Sequence, residues 1–345
     1  MGPRSKLAWT LGALLAGLGL AEIVARSHKA VVPRKPQATG AVIRVSSDPE
    51  LVTENLPGGE QSVVYTDPDG TRAHRVVAHV NAQGWRGRPL APVRESGVLR
   101  IAAVGDSHTF GQGVNDDETW PAVLEHELGA AGTRVEVLNA GVNGYGADQV
   151  FALLEKRVLG YAPDLVLYGF FCNDVALPLS GPEAGSELVA PAGGPGWWRT
   201  HSRLIDLLAE ALERRGRLSN WARAQERIYA DDSPAWAHMQ AELVRVRARV
   251  ESGGARFAVL LFPLFVPAPS SGLVSSAAHR KLRACCAAQG IPCLDLEPLF
   301  EGQDLDALRV HPLDMHAGTQ AQRMAGAELA RWVRAEDLLR PAERR

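Results

Sequence analysis

Short apolar segments that alternate with helical periodicity constrain the fold of this chain more than any other feature of its sequence. Almost wholly apolar runs of this kind are typical of strands that helices cover on both faces, because both sides of such a strand are buried. The runs lie at residues 99–104, 135–138, 165–171, 257–262 and 291–296. Strands in this number, separated by helices, predict a doubly wound parallel sheet.

Helical periodicity fills most of the gaps between these runs. One predicted helix carries apolar side chains at spacings of three and four, which keep one face apolar, at Trp236, Met239, Leu243, Val246 and Val250. Further helices are predicted at residues 119–128, 148–159, 277–288 and 319–333. The alternation breaks at about residues 177–234, where a Gly- and Pro-rich loop precedes an amphipathic segment. We interpret this stretch as an insertion into a main domain of residues 96–340.

The amino terminus has the pattern of an export segment. Arg4 and Lys6 precede an uncharged run at residues 7–21, which Glu22 interrupts. Residues 1–26 are therefore interpreted as a signal peptide or a membrane anchor, and the uncharged run is shorter than the roughly 20 residues of a comfortable span. The alternative is an amino-terminal helix packed on the domain. Export would place the main domain in the periplasm or at the cell surface, with membrane contact through the amino-terminal segment.

Residues 27–95 read as a linker with a few short strands, because Pro, Gly and Asp alternate there with β-branched runs at residues 62–65 and 75–80. The whole chain has 37 basic and 39 acidic residues. This balance excludes a general nucleic-acid binder, which needs a clustered basic surface. Four cysteines form neither a CxxC pair nor a zinc spacing, at Cys172, Cys285, Cys286 and Cys293. They are read as buried small residues, with an oxidised pair involving Cys293 as the alternative.

Polar residues follow the predicted strands at the point where each strand ends. Residues 105–108 read Gly-Asp-Ser-His, residues 139–144 form a glycine-rich loop, and residues 172–174 read Cys-Asn-Asp. An Asp/His pair at residues 314 and 316 precedes the last helix. In a parallel sheet these carboxyl ends meet at one edge, where ligands bind. A serine, a glycine loop, an asparagine and an Asp/His pair are the parts of an acyl-transfer site.

These blocks resemble those of the SGNH (GDSL-type) hydrolases, in the same order along the chain. The resemblance covers about residues 99–335 and includes Gly105-Asp106-Ser107, Gly144, Asn173, Asp314 and His316. Residues 81–87 and the amino-terminal apolar segment resemble a bacterial subgroup whose SGNH domain carries an amino-terminal signal or anchor. The resemblance implies a flavodoxin-like, three-layer α/β/α fold with about five parallel strands, and a site without cofactor or metal.

The resemblance also implies the role of each residue. Ser107 would be the nucleophile, His316 the base, and Asp314 the carboxylate that orients the imidazole. The backbone amides of Ser107 and Gly144 and the side-chain amide of Asn173 would form the oxyanion hole. The chain departs from the common pattern in two places. His108 replaces a leucine, and one residue rather than two separates Asp314 from His316, so Asp304 or Asp306 are alternative acids.

Each candidate residue also has a purely structural interpretation. Ser107 is in the position of a helix N-cap, Gly144 in that of a tight turn, and Asn173 in that of a turn residue bonded to its own backbone. Imidazole and carboxylate in one loop are also ordinary zinc ligands, so His311 with the Asp314 and His316 pair is an alternative metal site.

The leading functional prediction is a serine esterase that hydrolyses small acyl esters, with acetyl groups on carbohydrate as the candidate substrate. The alternative with the same site is an O-acyltransferase acting on a surface polysaccharide, with Trp197 and Trp198 either as stacking platforms for the acceptor or as core residues. A third interpretation is a non-catalytic envelope protein on a hydrolase scaffold. The sequence leaves the oligomeric state open.

Overall fold

A parallel sheet forms the centre of the computed structural model, which describes residues 3–27, 35–67, 71–175, 201–268 and 272–340. Its strand order is β5-β4-β6-β7-β8, and every neighbouring pair is parallel. The strands are β4 (Leu99–Gly105), β5 (Val135–Gly141), β6 (Leu165–Phe170), β7 (Arg256–Leu261) and β8 (Cys293–Asp295). All five lie within or close to the predicted apolar runs. The order is that of a flavodoxin-like sheet, so the predicted fold class is confirmed.

Helices cover both faces of this sheet, which explains why every residue of β6 is buried. Their bounds are α2 (Ser107–Phe110), α3 (Trp120–Ala130), α4 (Ala147–Lys156), α6 (Pro234–Ser252), α7 (Ser276–Gln289), α8 (Leu305–Leu308) and α9 (Thr319–Ala335). The five apolar residues predicted along α6 are all buried. Helix α3 begins after the N-cap Thr119 with a proline in its first turn, and α7 ends at Gly290, whose φ is 64°.

The segment before β4 forms a second sheet, which we call the amino-terminal sheet. It contains three antiparallel strands in the order β1-β2-β3, with bounds β1 (Gln37–Val45), β2 (Thr53–Thr66) and β3 (Ala73–His79). These strands are longer than the short runs that the sequence indicated. Arg86 bridges the two sheets: it pairs with Val80, the residue after β3, and its amide donates to the Asn139 carbonyl of β5 at 3.1 Å. The Arg86 side chain is buried and contacts Asp116 at 2.6 Å.

Helix α1 (Pro3–Ser27) contacts the beginning of helix α5 (Arg203–Ile228). The Glu22 carboxylate accepts from the amides of Arg203 and Leu204, at 2.9 and 3.0 Å, and from the Ser202 hydroxyl at 2.8 Å. A carboxylate at this position satisfies amides that the first turn of a helix leaves free. Most large apolar side chains described on α1 remain exposed. Among the helices described, none combines the length and the apolar character needed to cross a membrane.

The interpreted insertion at residues 177–234 is described only from residue 201 onward. Its amphipathic segment is helix α5. Trp197 and Trp198 lie outside the described residues. The four cysteines are free thiols, three of them buried and Cys293 partly exposed.

Candidate active site

Ser107 lies at the carboxyl edge of the sheet because β4 passes directly into the short helix α2. Asp106 caps this helix, and its carboxylate accepts from the His108 amide at 2.8 Å. Strand β4 occupies an inner position in the sheet, between β5 and β6. The Ser107 side chain is therefore flanked by the loops that follow both neighbouring strands. The residue is largely buried, at 8% exposed, with its hydroxyl directed towards the last strand of the chain.

A row of three glycines allows α2 to lie this close to the sheet. Gly105, Gly141 and Gly169 are partners in register across β4, β5 and β6. A Cβ atom at position 105 or 169 would lie 2.3 or 2.4 Å from the Thr109 hydroxyl oxygen, and one at position 141 would lie 2.1 Å from the Phe110 amide nitrogen. A side chain at any of these positions would force atoms of α2 to move. The three positions therefore bring the helix, and Ser107 with it, onto the ends of the strands.

Asp314 and His316 lie on a small hairpin formed by β9 (Arg309–His311) and β10 (Asp314–Ala317). Alternate residues of an extended strand project from the same face, so a spacing of one residue brings both side chains together. His316 Nδ1 donates to Asp314 Oδ1 at 2.6 Å, and His316 Nε2 is 2.9 Å from Ser107 Oγ. The short spacing that departs from the common family pattern is thus accommodated by strand geometry.

The charges around His316 set its protonation. Burial tends to lower the pKa of this imidazole, but the hydrogen bond to Asp314 and the negative charges of Asp314 and Asp106 raise its pKa above the usual value. Burial tends to raise the pKa of Asp314, and its bonds to His316 and the Tyr65 hydroxyl instead lower it to about 2. The carboxylate is therefore ionised whenever the imidazole is neutral.

Tyr65 is a residue at this site that the sequence reasoning missed. It lies near the end of β2, and its hydroxyl donates to Asp314 Oδ2 at 2.9 Å. The side chain is buried, at 1% exposed. The sequence signal was limited to a β-branched run at residues 62–65, which indicated a strand and nothing about its partner. Residues 249 positions apart meet here.

Gly144 and Asn173 occupy the loops after β5 and β6, on either side of Ser107. Gly144 adopts a left-handed conformation with φ of 82° and is exposed, as is Asn173. The two loops are joined by the Ala147 amide, which donates to the Asp174 carbonyl at 3.1 Å. Asp174 anchors the second loop, because its carboxyl accepts from the Tyr168 hydroxyl at 2.6 Å and the Phe171 amide at 3.1 Å. Burial and the nearby Asp106 raise the pKa of Asp174 well above its usual value.

His108 forms an aromatic wall beside the serine. Its ring lies on that of Phe171 with centroids 3.7 Å apart, and 5.1 Å from the ring of His316. His108 Nδ1 lies 3.5 Å from Asp106 Oδ2, and beyond this long contact neither ring nitrogen has a polar partner among the described residues. Burial lowers its pKa, which outweighs the opposing charge of Asp106. This imidazole therefore stays uncharged to a lower pH than an ordinary histidine.

Three further candidate residues, His311, Asp304 and Asp306, have structural contacts. His311 accepts from the Leu313 amide at 3.1 Å through Nδ1 and contacts the Thr66 carbonyl at 3.0 Å through Nε2, so both ring nitrogens are engaged. Asp304 caps helix α8, and Asp306 pairs with Arg309. Within the described ranges, no three His, Cys, Asp or Glu side chains are grouped as a metal site would require.

Residues 103–324 match the model of the GDSL-like lipase/acylhydrolase family, a match over more than half of the chain. The chain belongs to this family. It is an SGNH (GDSL-type) hydrolase, as the sequence blocks predicted, and an enzyme that acts on ester bonds. The amino-terminal sheet of this hydrolase lies before the first matched residue.

Solved structures with a similar fold include three enzymes of low sequence identity. A lipase/acylhydrolase from Enterococcus faecalis is 15% identical, with a TM-score of 0.42, covering 71% of this chain and 100% of its own. The psychrotrophic esterase EstA from a Pseudoalteromonas species is 14% identical, with a TM-score of 0.42, covering 69% of this chain and 97% of its own. LAE5, an alpha/beta hydrolase from the metagenome of Lake Arreo in Spain, is 17% identical, with a TM-score of 0.43, covering 72% and 99%. No curated protein matches the GDSL-like hydrolase in sequence.

Proposed function

We propose that this GDSL-like hydrolase is a serine esterase that removes small acyl groups through an acyl-enzyme on Ser107. The observation that carries the proposal is the unbroken series of contacts from Ser107 through His316 to Asp314, at 2.9 and 2.6 Å. A serine hydroxyl is a weak nucleophile unless a neighbouring base removes its proton. The Nε2 atom of a neutral His316 has the position that such a base requires.

In the acylation step, His316 Nε2 accepts the Ser107 proton while Oγ forms a bond to the ester carbonyl carbon. The carbonyl oxygen gains negative charge, to which the amides of Ser107 and Gly144 and the carboxamide of Asn173 would donate. Collapse of the tetrahedral intermediate breaks the carbon–oxygen bond of the alcohol, and His316 returns its proton to the alcohol oxygen. Asp314 stabilises the transient imidazolium. Water then repeats the sequence, which releases the acid and restores the Ser107 hydroxyl.

We propose acetyl groups on carbohydrate as the substrate class. The buried rings of His108 and Phe171 lie beside the nucleophile, which favours a short acyl group over a long chain. The carbohydrate part is supported by the family resemblance of the sequence blocks and by the export-type amino terminus.

Replacement of the nucleophile tests the esterase proposal. Ser107→Ala should lower hydrolysis of p-nitrophenyl acetate by at least about a thousandfold, because removing a serine nucleophile leaves only binding and oxyanion stabilisation. Mass spectrometry of acid-quenched wild type should find an acetyl group on the peptide that contains Ser107. Ser252→Ala, which removes only a hydroxyl bonded to the Arg249 carbonyl, is the matched control and should keep the wild-type rate. A wild-type rate in Ser107→Ala would refute the assignment.

The acceptor of the acyl group separates the esterase from the O-acyltransferase. Both reactions pass through the same acyl-enzyme and differ in whether water or a sugar hydroxyl resolves it. With a labelled acetyl donor and added oligosaccharide, we expect the label in acetate; label mainly in the sugar would favour the transferase. A non-catalytic envelope protein would leave the folded wild type unlabelled by a fluorophosphonate probe.

We propose an extracytoplasmic location, with helix α1 retained as a membrane contact. The charge pattern of the amino terminus supports export, and the exposed apolar side chains of α1 support contact with lipid. Retention is supported by Glu22, whose carboxylate caps helix α5. Cleavage that removed this residue would leave the first amides of α5 without their partner.

A further inference from the structure

Asp314 is held through both of its carboxylate oxygens. The first, Oδ1, accepts from His316 Nδ1 at 2.6 Å and from the His316 backbone amide at 3.2 Å. The second, Oδ2, accepts from the Tyr65 hydroxyl at 2.9 Å. The terminal torsion of an aspartate side chain is broad, so a bond to one oxygen does not by itself fix the plane of the group. The hydroxyl of Tyr65 supplies the second point that fixes this plane.

The amino-terminal sheet holds Tyr65 in place against the hairpin of β9 and β10, which carries Asp314. Its ring stacks on His74 with centroids 5.4 Å apart and an angle of 19° between planes, and lies 5.8 Å from the His311 ring. The next residue, Thr66, offers its carbonyl to His311 Nε2 at 3.0 Å. His311 therefore binds the end of β2 to the hairpin that carries Asp314. This contact accounts for an imidazole whose role the sequence left open.

Space for the hydroxyl depends on a glycine of the main domain. A Cβ atom at Gly113, whose φ is 85°, would lie 3.1 Å from the Tyr65 hydroxyl oxygen and 2.6 Å from a methyl carbon of Val310. The sheet also reaches the opposite side of the site, where the Asn55 amide group donates to the Gly141 carbonyl at 3.0 Å. Two separate contacts thus connect this sheet to the edge on which Ser107 lies.

Tyr65 acts as a hydrogen-bond donor throughout the working pH range. Burial, together with the negative charge of Asp314, raises the pKa of the phenol far above its usual value. The donated proton favours the ionised carboxylate and withdraws negative charge from it. A neutral donor on Oδ2 therefore both orients Asp314 and moderates the effect of its charge on His316.

We propose that Tyr65 is a positioning residue for the triad carboxylate, so that the amino-terminal sheet is a functional part of the esterase site. The proposal rests on the function assigned above to Ser107, His316 and Asp314. It goes beyond the family match, because Tyr65 precedes the first matched residue, 103.

Removal of one hydroxyl tests this proposal. Tyr65→Phe should lower kcat for p-nitrophenyl acetate by roughly 10- to 100-fold, the effect of one hydrogen bond to a charged group, with KM within about twofold. The acid limb of the kcat/KM profile should move to higher pH, because an Asp314 without this donor favours the imidazolium more strongly. Tyr161→Phe is the matched control, because Tyr161 lies shortly before β6 and so near the amino ends of the strands; it should leave both readouts unchanged.

A double-mutant cycle separates positioning from a general effect on the fold. If Tyr65 acts through Asp314, Tyr65→Phe should have no further effect on kcat in an Asp314→Ala background. An equal loss in both backgrounds, or a wild-type kcat and pH profile in Tyr65→Phe, would overturn the proposal. Incorporation of 3-fluorotyrosine at position 65 keeps the ring and strengthens the donor, so the acid limb should move to lower pH even if Tyr65→Phe fails to fold. An unchanged limb in the fluorinated enzyme would also overturn it. Failure of the esterase assignment is detected separately, by Ser107→Ala.

Discussion

His316 lies between a donor and an acceptor that make opposite demands on it. Its Nδ1 proton is held by Asp314, while Nε2 must be free of a proton to accept one from Ser107. The charges of Asp314 and Asp106 favour the protonated ring and overcome the opposing effect of burial, so the pKa of His316 is raised. If His316 is the base, as we propose, it is therefore still protonated and inactive at a pH where an ordinary histidine would already be neutral.

The pH profile of the enzyme should report this raised pKa. We expect kcat/KM to rise with pH as His316 loses its proton, with a midpoint above 6.5, the usual pKa of the imidazole. In Asp314→Asn the midpoint should move down, because burial then acts without the carboxylate charge. Initial rates with p-nitrophenyl acetate, corrected for the ionisation of the product, measure both. A wild-type midpoint at or below the usual value would contradict this account of the site.

At the scale of elements, the position of Ser107 at the carboxyl edge of the sheet depends on how closely helix α2 approaches the strands. The glycines at positions 105, 141 and 169 lie side by side in three neighbouring strands, and α2 rests on them. The atoms that a Cβ at position 141 would meet belong to the backbone of α2 and cannot rotate away. Packing between strand and helix, rather than any one hydrogen bond, thus sets the height of Ser107 above the sheet.

Gly141→Ala should therefore displace α2 and remove most of the activity. The added methyl group would lie 2.1 Å from the Phe110 amide nitrogen, so the helix has to move. We expect kcat to fall by about a hundredfold or more, since small misplacements of catalytic groups have effects of this size. The midpoint of thermal unfolding should also fall. Gly129→Ala is the control, because a Cβ there meets nothing within 4 Å; this substitution in α3 should preserve activity and raise stability slightly. Full activity in Gly141→Ala would contradict the packing argument.

The elements that could be predicted from the sequence are those whose burial is visible locally. Strands β4 and β6 lie under helices on both faces and so appear as apolar runs, and the buried face of α6 follows helical spacing. The hairpin of β9 and β10 could not be predicted, because its strands are very short and polar. Strand β2 extends beyond its β-branched run because pairing with two neighbours stabilises it, and pairing between distant segments leaves no local pattern.

The candidate site follows the same division. The order of strands and motifs indicated the residues at the carboxyl edge of the sheet, which are Ser107, Gly144, Asn173, Asp314 and His316. The contact of Tyr65 with Asp314 could not be predicted, since it depends on how the amino-terminal sheet lies against the hairpin of β9 and β10. The two residues are 249 positions apart. The stacking of His108 on Phe171 likewise requires three-dimensional placement of two loops.

At the scale of the whole molecule, helix α1 carries more exposed large apolar side chains than any other helix that the structure describes. Trp9 is 72% exposed, Leu14 60%, Leu20 64% and Ile23 65%. A group of exposed apolar side chains of this size favours a contact with lipid or with another molecule. The basic residues Arg4 and Lys6 precede the apolar run, and their charge favours contact with anionic lipid.

If α1 stays attached as we propose, the full chain should sediment with membranes and lose this association when the exposed face is made acidic. We expect the double variant Leu14→Glu and Leu20→Glu to appear in the soluble fraction after cell lysis. Val45→Glu with Val93→Glu is the control, because these valines are 82% and 84% exposed but lie outside α1. Wild type found in the soluble fraction, or a mature protein whose sequence begins after residue 26, would contradict retention.

The bond from Tyr65 to Asp314 determines how far the amino terminus of this enzyme can be shortened without losing a contact to Asp314. A fragment of residues 103–324 would keep every block by which the family is identified. It would lack the Tyr65 hydroxyl, which donates to Asp314 Oδ2. Anyone shortening the chain for crystallisation, grafting or directed evolution should therefore begin upstream of β1 rather than at β4.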